Sequence, residues 1–349
     1  MNVLLTGHNG YIGSVMVSVL QAAGHHVTGL DTYFFEECTF IPDEHFVPSL
    51  RKDIRDLTLR DMQGFEAIVH LAALSNDPLS DFNPALTYEI NHVASVHLAK
   101  LAKEAGVQRF LFTSSCSVYG KVDSEKLLTE NDTPYPLTPY AISKARAEKD
   151  ITKLADASFS PVFLRNATTY GVSPRLRVDL VVNNLVGWAY TTGKIRILKE
   201  VTMWRPMAHI EDISRAFAAI LAAPQEVIHN QIFNVGVNGE NYQICDLVEI
   251  VRESVPGCKV EYAIKKGSDL RSYRVDFSKL ARTLPNLKLK WCVPLGVKQL
   301  YDKFEQVGLG LEEFQGRKYI RLAQLKHLLE SEYLDSSLHW KKSVIFETK

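Results

Sequence analysis

A tyrosine and a lysine four residues apart are the side chains with the clearest potential for chemistry in this chain. Tyr140 and Lys144 lie in PYAISKARAE (139–148), within a stretch whose pattern predicts a helix over 139–156. Residues i and i+4 share one helix face, so the phenol and the ammonium can act in one site. A nearby ammonium stabilises phenolate and lowers the tyrosine pKa, which favours a general base that removes a hydroxyl proton. The same spacing also occurs in surface helices, where a lysine merely covers a tyrosine ring.

A cluster of hydroxyl groups and one thiol precedes this helix. The stretch FTSSCSVYG (112–120) is an apolar strand end that continues into Ser114, Ser115, Cys116 and Ser117. A catalytic serine, a reactive cysteine and a simple polar turn are all compatible with these residues taken alone. A buried cysteine most often acts as a small apolar side chain.

The first fifteen residues contain a glycine pattern that is typical of dinucleotide binding. TGHNGYIG (6–13) places Gly7, Gly10 and Gly13 directly after an apolar strand pattern, NVLLT (2–6), and at the start of a helix pattern. Glycine allows the tight turn and a close backbone approach to a pyrophosphate, whose charge then faces the helix N-terminus.

An acidic residue at the end of the second strand pattern selects the cofactor. Asp31 closes HVTGLD (26–31), and a carboxylate there can bind both ribose hydroxyls while it repels a 2′-phosphate. No arginine appears in the following TYFFEE (32–37), so NAD is favoured over NADP. Two further pairs follow predicted strands. Asp53 and Ile54 could meet the adenine, and Ala72 and Ala73 could line the adenosine and ribose side. Taken alone, both pairs are better explained as ordinary loop and core residues.

Composition excludes several classes of partner. The 349 residues carry 40 Lys and Arg against 40 Asp and Glu, so no nucleic-acid or anionic-membrane partner is indicated. No apolar run approaches the ~20 residues that span a bilayer, and the first residues lack the basic start of a signal peptide. Five scattered cysteines show no metal-ligand spacing, so no metal site is expected, and their odd number favours a reduced, cytoplasmic chain.

The order of strand and helix patterns predicts an α/β fold. Strand patterns alternate with helix patterns through the first half, which favours a parallel sheet with helices on both faces. The second half is more mixed, and its strand pattern at 232–236 is predicted to return to the first sheet. The tail from Leu311 onward has helical spacing in LAQLKHLLESEYL, and we expect it to pack on the surface.

These motifs resemble the extended short-chain dehydrogenase/reductases, specifically the NAD-dependent nucleotide-sugar epimerase/dehydratase family. The matching stretches run in order from residue 6 to about residue 280: TGHNGYIG, LDTY, DIRD, HLAALS, EINHVASVHLA, SSCSVYG, YAISK, RPMAHIEDISRA, FNVG and SDLRSYRVDFSKL. The resemblance implies a Rossmann-type doubly wound parallel sheet over 1–170, with 205–240 returning to it, and a smaller mixed α/β substrate lobe over 171–349. It also implies tightly bound NAD, a nucleotide-diphosphate sugar as substrate and a homodimer.

The resemblance also implies a role for each matching position. Tyr140 is the base, Lys144 is its partner and a ribose ligand, and Ser115 hydrogen-bonds the reacting sugar oxygen. Ser115 is selected because it lies four residues before Tyr119 of the VYG motif. The implied cofactor contacts are Gly7, Asn9, Gly10, Tyr11, Ile12, Gly13, Asp31, Asp53, Ile54, Leu71, Ala72, Ala73, Asn91, Ser114, Tyr140, Lys144 and Asn166. The implied substrate contacts are Ser115, Ser117, Thr168, Arg175, Arg177, Arg205, Asp269 and Arg271.

The residues after Ser115 favour one reaction within the family. Members that eliminate water or lose carbon dioxide usually carry an acid here, because elimination needs a carboxylate to move protons. This chain has Cys116 and Ser117 instead. We therefore expect a nucleotide-sugar 4-epimerase that forms a transient 4-keto sugar. A 4-ketoreductase or dehydrogenase is the alternative, and a non-catalytic NAD-binding regulator is the alternative from another class.

Overall fold

The computed structural model describes residues 1–122, 126–198, 202–263 and 271–341. The strands are β1 Asn2–Thr6, β2 His26–Asp31, β3 Ser49–Arg51, β4 Ala67–His70, β5 Arg109–Ser115, β6 Leu127–Leu128, β7 Ser160–Asn166, β8 Thr168–Tyr170, β9 Lys194–Leu198, β10 Trp204–His209, β11 Ile232–Val235, β12 Asn241–Gln243, β13 Lys259–Ala263 and β14 Arg274–Val275. The α-helices are α1 Tyr11–Ala22, α2 Asp77–Phe82, α3 Pro84–Tyr88, α4 Ser95–Glu104, α5 Pro139–Ile151, α6 Val181–Thr192, α7 Ile210–Ala222, α8 Gln225–Ile228, α9 Ile244–Ser254, α10 Ser278–Thr283, α11 Val293–Val307, α12 Leu311–Gln315 and α13 Arg321–Glu330.

The main sheet has seven strands in the order β11-β7-β5-β4-β1-β2-β3, and neighbouring strands are parallel. The chain builds outward from β1 to β3 and then continues on the other side of β1 with β4. Ligands of such sheets bind beyond the carboxyl ends of the strands, at the point where the order reverses. The predicted α/β fold with a doubly wound parallel sheet is confirmed, and so is the predicted return of the strand at 232–236.

Apolar strands and helices explain why the sheet is covered on both faces. Val3, Leu4 and Leu5 of β1 are completely buried, as expected for a strand between two helical layers. One layer contains α1 and α7, with Phe217 in its core, and the other contains α4 and α5. A π-helical turn at Glu89–Ala94 joins α3 to α4.

The second lobe has its own small sheets and core. Strands β8, β10 and β12 form a three-stranded sheet, so β10 at the start of the 205–240 segment lies outside the main sheet. Strands β9 and β13 form a parallel pair. Helices α6, α9 and α11 pack together around Val186, Leu247, Leu300 and Phe304. The division of the chain at residue 170 stays a prediction.

The C-terminal tail differs from the expectation of a surface helix. Leu325 and Leu328 of α13 are buried in the same core as Leu98 and Phe110 of the first lobe. The tail therefore packs against the first lobe. There its apolar face covers α2 and the loop after β2 and shields them from water. Among the described residues, no helix combines the length and the apolarity needed to cross a membrane.

Candidate functional site

A large cleft lies between the carboxyl ends of the main strands and the second lobe. Its volume is about 1050 Å³. Most residues predicted to contact ligands line this cleft: Gly7, Gly10, Tyr11, Ile12, Gly13, Asp31, Asp53, Ile54, Leu71, Ala72, Ala73, Ser114, Ser115, Ser117, Tyr140, Lys144, Asn166, Thr168, Arg177, Arg205 and Arg271. The structure thus brings together residues that are up to 264 positions apart, from Gly7 to Arg271. Asn9, Asn91 and Arg175 do not line the cleft, and Asp269 lies outside the described residues.

The glycine loop has the geometry that a pyrophosphate needs. Gly7 has φ +73°, and a Cβ there would lie 2.8 Å from the amide nitrogen of Ala72. A Cβ on Gly13 would lie 2.1 Å from the Gly7 carbonyl oxygen. Neither position accepts a side chain, so the loop packs tightly onto β4 and leaves its backbone open toward the cleft. This cradle fits the diphosphate of a dinucleotide at the N-terminus of α1.

Asp31 is held at the cofactor end of the cleft by two main-chain groups. Its carboxylate accepts hydrogen bonds from the amides of Tyr33 at 2.8 Å and Asn9 at 3.1 Å. Asn9 therefore positions Asp31 through its backbone. Burial raises the pKa of Asp31, an effect opposed by the nearby His8. His8 was missed by the motif argument, although it lies within the glycine loop.

The part of the cleft wall predicted to face the adenine and ribose is formed by loops that hydrogen bonds and ion pairs hold in place. The Asp53 carboxylate forms an ion pair with Arg55 at 2.8 Å, beside Ile54 in the cleft wall. Asn91 is completely buried and accepts from the Leu74 amide at 2.8 Å while it donates to the Leu74 carbonyl at 3.0 Å. Asn91 thus fixes the loop after β4 from behind the wall.

Strand β5 and helix α5 position the predicted catalytic triad. Ser115 ends β5, and α5 begins just before Tyr140, where the Thr138 hydroxyl caps the helix by accepting from an amide at 3.3 Å. Ser115 lies close enough to Tyr140 to influence the pKa of its phenol. The Lys144 ammonium lies 5.9 Å from the centre of the Tyr140 ring and is 1% exposed.

Burial dominates the electrostatics of the triad. Burial raises the pKa of Tyr140 to about 12, against a lowering effect of Ser115. Burial also lowers the pKa of Lys144 to about 7, although the carboxylate of Glu148 opposes this shift. In the protein without NAD⁺, desolvation outweighs the lowering contributions of Ser115, Arg177 and Arg271 to the tyrosine pKa. Bound NAD⁺ would add the positive charge of its nicotinamide, so the expected lowering of the tyrosine pKa in the loaded site stays a prediction.

A buried ion pair lies directly behind the triad. Glu148, one helical turn after Lys144, pairs with Arg165 at 2.7 Å. The Ser114 hydroxyl donates to Glu148, so the side chain of Ser114 points away from the cleft. Cys116 donates to the Arg165 carbonyl at 3.1 Å and belongs to the hydrophobic core. Burial raises the thiol pKa of Cys116 above its ordinary range, so this residue is a core side chain and neither a nucleophile nor an acid–base group.

Three predicted ligand-binding residues lie in the cleft wall: Ser117 and Thr168, predicted for the substrate, and Asn166, predicted for the cofactor. The Ser117 hydroxyl and both polar atoms of the Asn166 amide are buried and have no hydrogen-bond partner among the described residues. Buried polar atoms of this kind are normally satisfied, so a bound ligand is the natural partner here.

The predicted substrate arginines bridge the two lobes. Arg177 pairs with Asp179 at 2.9 Å and donates to the Ser75 hydroxyl at 2.9 Å. Arg271 pairs with Asp77 at 2.7 Å.

The remaining arginines are fixed by other groups. Arg205 donates to the Trp204 carbonyl at 2.8 Å. Arg175 turns away from the cleft wall and donates to the Thr39 hydroxyl at 2.8 Å.

Several cleft residues were not found by sequence analysis. Asp77 and Asp179 each lie close to residues that the sequence analysis singled out. The carboxylates at these positions could have identified them. Met203 is an apolar wall residue outside every motif, and Tyr273 is an aromatic wall residue within SDLRSYRVDFSKL that was not singled out. Arg321 lies in the tail, outside every family motif, and only the folded structure brings it to the cleft.

This combination of a parallel sheet, a glycine cradle and a Ser–Tyr–Lys arrangement in one cleft defines an extended short-chain dehydrogenase/reductase. A sequence model of the NAD dependent epimerase/dehydratase family matches residues 3–236, and the chain belongs to that family. It is an enzyme with NAD as its cofactor, which confirms both predictions.

Individual relatives cover different chemistries. The chain is 29% identical to a UDP-glucose 4-epimerase of Corynebacterium glutamicum over 72% of this chain and 80% of that protein. It is similar to MoeE5 in complex with UDP-glucuronic acid and NAD, with a TM-score of 0.75 and 27% identity over 88% of this chain and 99% of that one. It is also similar to DesIV, a dTDP-glucose 4,6-dehydratase from Streptomyces venezuelae with NAD and TYD bound, with a TM-score of 0.74 and 26% identity over 88% and 97% of the two chains.

Proposed function

We propose that this chain is an NAD-dependent nucleotide-sugar 4-epimerase that inverts C4 of an NDP-hexose through a transient 4-keto sugar. One observation carries the proposal: Ser115, Tyr140 and Lys144 share the cleft, while Ser117 occupies the wall where an eliminating enzyme needs a carboxylate. A serine hydroxyl can orient a sugar, but it is a poor proton-transfer group at neutral pH. Relatives with this reaction, such as the Corynebacterium epimerase, support the proposal.

The other carboxylates near the triad are engaged by arginines. Asp77 pairs with Arg271, and Asp179 pairs with Arg177. Burial by itself raises the pKa of Asp179, but the Arg177 guanidinium outweighs it and holds the pKa below its usual value. Both carboxylates are therefore suited to holding the site together, and neither is placed as the acid of a dehydration.

The triad residues have distinct tasks in this reaction. NAD⁺ held by the loop of Gly7, Gly10 and Gly13 would supply the hydride acceptor for the sugar carbon. Tyr140 takes the proton of the C4 hydroxyl and gives it back to the oxygen of the 4-keto sugar, with Ser115 hydrogen-bonded to the same oxygen. Lys144 in its charged form favours the phenolate. The wide cleft gives the keto sugar room to present its other face before the hydride returns.

We also propose a homodimer in the cytoplasm with a role in carbohydrate biosynthesis. Val93, 59% exposed on the helical segment that joins α3 to α4, offers an apolar position for a helix-to-helix contact. The five scattered cysteines and the likeness to nucleotide-sugar enzymes support the cellular assignment.

The test is turnover without added nicotinamide cofactor. The purified protein is incubated with UDP-, GDP-, dTDP- and CDP-hexoses in D₂O, and products are followed by NMR. We expect one nucleotide series to give a mixture of two C4 epimers with no deuterium at C4 or C5, because the hydride returns from the cofactor and C5–H is not broken.

Tyr140→Phe is the control, since it should retain NAD without turnover. Strict dependence on added NADH or NAD⁺ would contradict the proposal and indicate the ketoreductase or dehydrogenase. Loss of the C6 hydroxyl would indicate a dehydratase. Absence of any turnover, with no effect of Tyr140→Phe in the cell, would indicate a non-catalytic NAD-binding protein.

A further inference from the structure

The C-terminal tail, residues 311–341, holds the loop that follows Asp31. The indole nitrogen of Trp340 donates to the Thr32 carbonyl at 2.6 Å, and Gln324 donates to the Phe34 carbonyl at 3.3 Å. The family model ends at Gly236, so these contacts belong to a segment beyond it. The loop that carries the cofactor end of the cleft is therefore fixed by the far end of the chain.

Arg321 brings a guanidinium from this tail into the cleft wall. Arg321 is 3% exposed and lines the cleft. One of its terminal nitrogens donates to the Arg175 carbonyl at 2.7 Å, and the guanidinium carbon lies 4.5 Å from the centre of the Phe35 ring. Its other terminal nitrogen, Nη1, is buried without a hydrogen-bond partner among the described residues.

The charges around Arg321 compensate it only in part. Arg321 forms no ion pair within the described ranges; the nearby charges are the cations Arg175 and Arg177 and the carboxylate of Asp179. Arg177 is paired with Asp179, whereas Arg175 also has a buried, unpartnered nitrogen, Nε, in the described structure. Burial and these neighbouring cations lower the pKa of Arg321 to about 10, so it still carries a charge at neutral pH. A buried cation that lacks an ion pair of its own favours an anionic ligand.

The position of Arg321 indicates which anionic ligand it binds. It stacks on the loop directly after Asp31, and its field reaches Tyr11, the first residue of α1. The N-terminus of α1 and the glycine cradle already face the cofactor diphosphate. We infer that Arg321 is a phosphate ligand of the bound NAD, so that the C-terminal tail is a part of the cofactor site.

The experiment compares ligands with and without phosphate. Full-length protein carrying Arg321→Met is freed of cofactor, and its affinity for NAD, ADP and adenosine is measured by calorimetry. We expect the affinity for NAD and ADP to fall about 10- to 100-fold, as for loss of one charge-assisted hydrogen bond, with adenosine unchanged. The NAD content per purified chain should fall in parallel.

Two further variants separate phosphate binding from packing. Arg321→Lys keeps the charge but not the fork of donors, so we expect a smaller loss for NAD and ADP and normal thermal unfolding. Lys326→Gln removes an exposed cation from the same helix, α13, and should leave all three affinities unchanged.

Three results would overturn the assignment. Equal losses for adenosine and ADP would mean that Arg321 acts only through packing. Unchanged affinity for NAD in both Arg321 variants would mean that it does not touch the cofactor. A loss of affinity for nucleoside diphosphates of the substrate, with NAD binding intact, would place Arg321 on the substrate instead.

Discussion

The two halves of the cleft are held together in different ways. The part of the cofactor half made of β5 and α5 is secured by bonds within one lobe, such as the Glu148–Arg165 pair. The substrate half is secured by bonds between lobes: Arg177 donates to Ser75, Asn76 donates to Asp179 at 2.6 Å, and Arg271 pairs with Asp77.

This difference predicts which substitutions affect which property. The cofactor half is preorganised by the sheet, so its substitutions should change kcat or the free energy of unfolding. The substrate half depends on the loop at 75–77 meeting the second lobe, so its substitutions should change KM. The four predictions below test this contrast.

Tyr140→Phe should have the largest effect on activity. Removing the proposed general base should lower kcat by about 10²- to 10⁴-fold, while NAD should remain bound because the ring still fills its place. Activity on the nucleotide sugar and NAD content per chain are measured together. Tyr135→Phe, at a tyrosine that is 68% exposed, is the matched control and should be silent. Equal losses of bound NAD and of activity would contradict the expectation that this substitution lowers kcat and leaves cofactor binding unchanged.

Glu148→Gln should destabilise the cofactor half. It leaves Arg165 buried without its carboxylate, which costs about 3–5 kcal/mol of unfolding free energy. Urea unfolding measures the loss, and Glu148→Met with Arg165→Met should cost less than the sum of the single changes. Glu249→Gln, which removes an exposed ion pair with Arg252, should cost no more than ~1 kcal/mol. A comparable cost for both single variants would contradict this view of the buried pair.

Lys144 should make stability depend on pH. Its pKa is about 7 in the folded protein and ~10.4 in the unfolded chain, so the unfolded state binds more protons between these values. Stability should therefore rise with pH through this window, by up to about 1.4 kcal/mol per pH unit, and the cost of burying the ammonium is fully present below it. Urea unfolding of Lys144→Met across the same range should lack this rise. An identical slope in both proteins would show that Lys144 keeps its proton on folding.

Asp77→Asn should have the smallest effect and should act on the substrate half. Loss of the pair with Arg271 raises KM for the nucleotide sugar about 5- to 10-fold and changes kcat little, because the triad is untouched. Steady-state kinetics separate the two constants. Asp302→Asn, at an exposed pair with Lys298, is the control. A fall in kcat with unchanged KM would place Asp77 in the chemistry.

The glycine loop and the triad were predictable from sequence because their chemistry depends on short spacings. Gly7, Gly10 and Gly13 satisfy the backbone requirements of a single turn, and Tyr140 and Lys144 share one helix face. Parallel strands also place their carboxyl ends at one edge of the sheet. The strand order alone therefore predicts that a motif at the end of β1 lies near one at the end of β5. The sequence thereby determined the fold class, the cofactor and the residues expected at the reacting carbon.

Tertiary structure decided what depends on burial and on distant contacts. The raised pKa of Tyr140 follows from desolvation, which no local spacing reveals. Packing between segments far apart in the chain decides three further features. Cys116 is buried in the core, Arg175 turns away from the cleft, and Arg321 lies in the cleft wall. A tail with helical spacing predicts a helix but not the lobe that its apolar face covers, because many apolar surfaces could accept it and only the folded chain selects one.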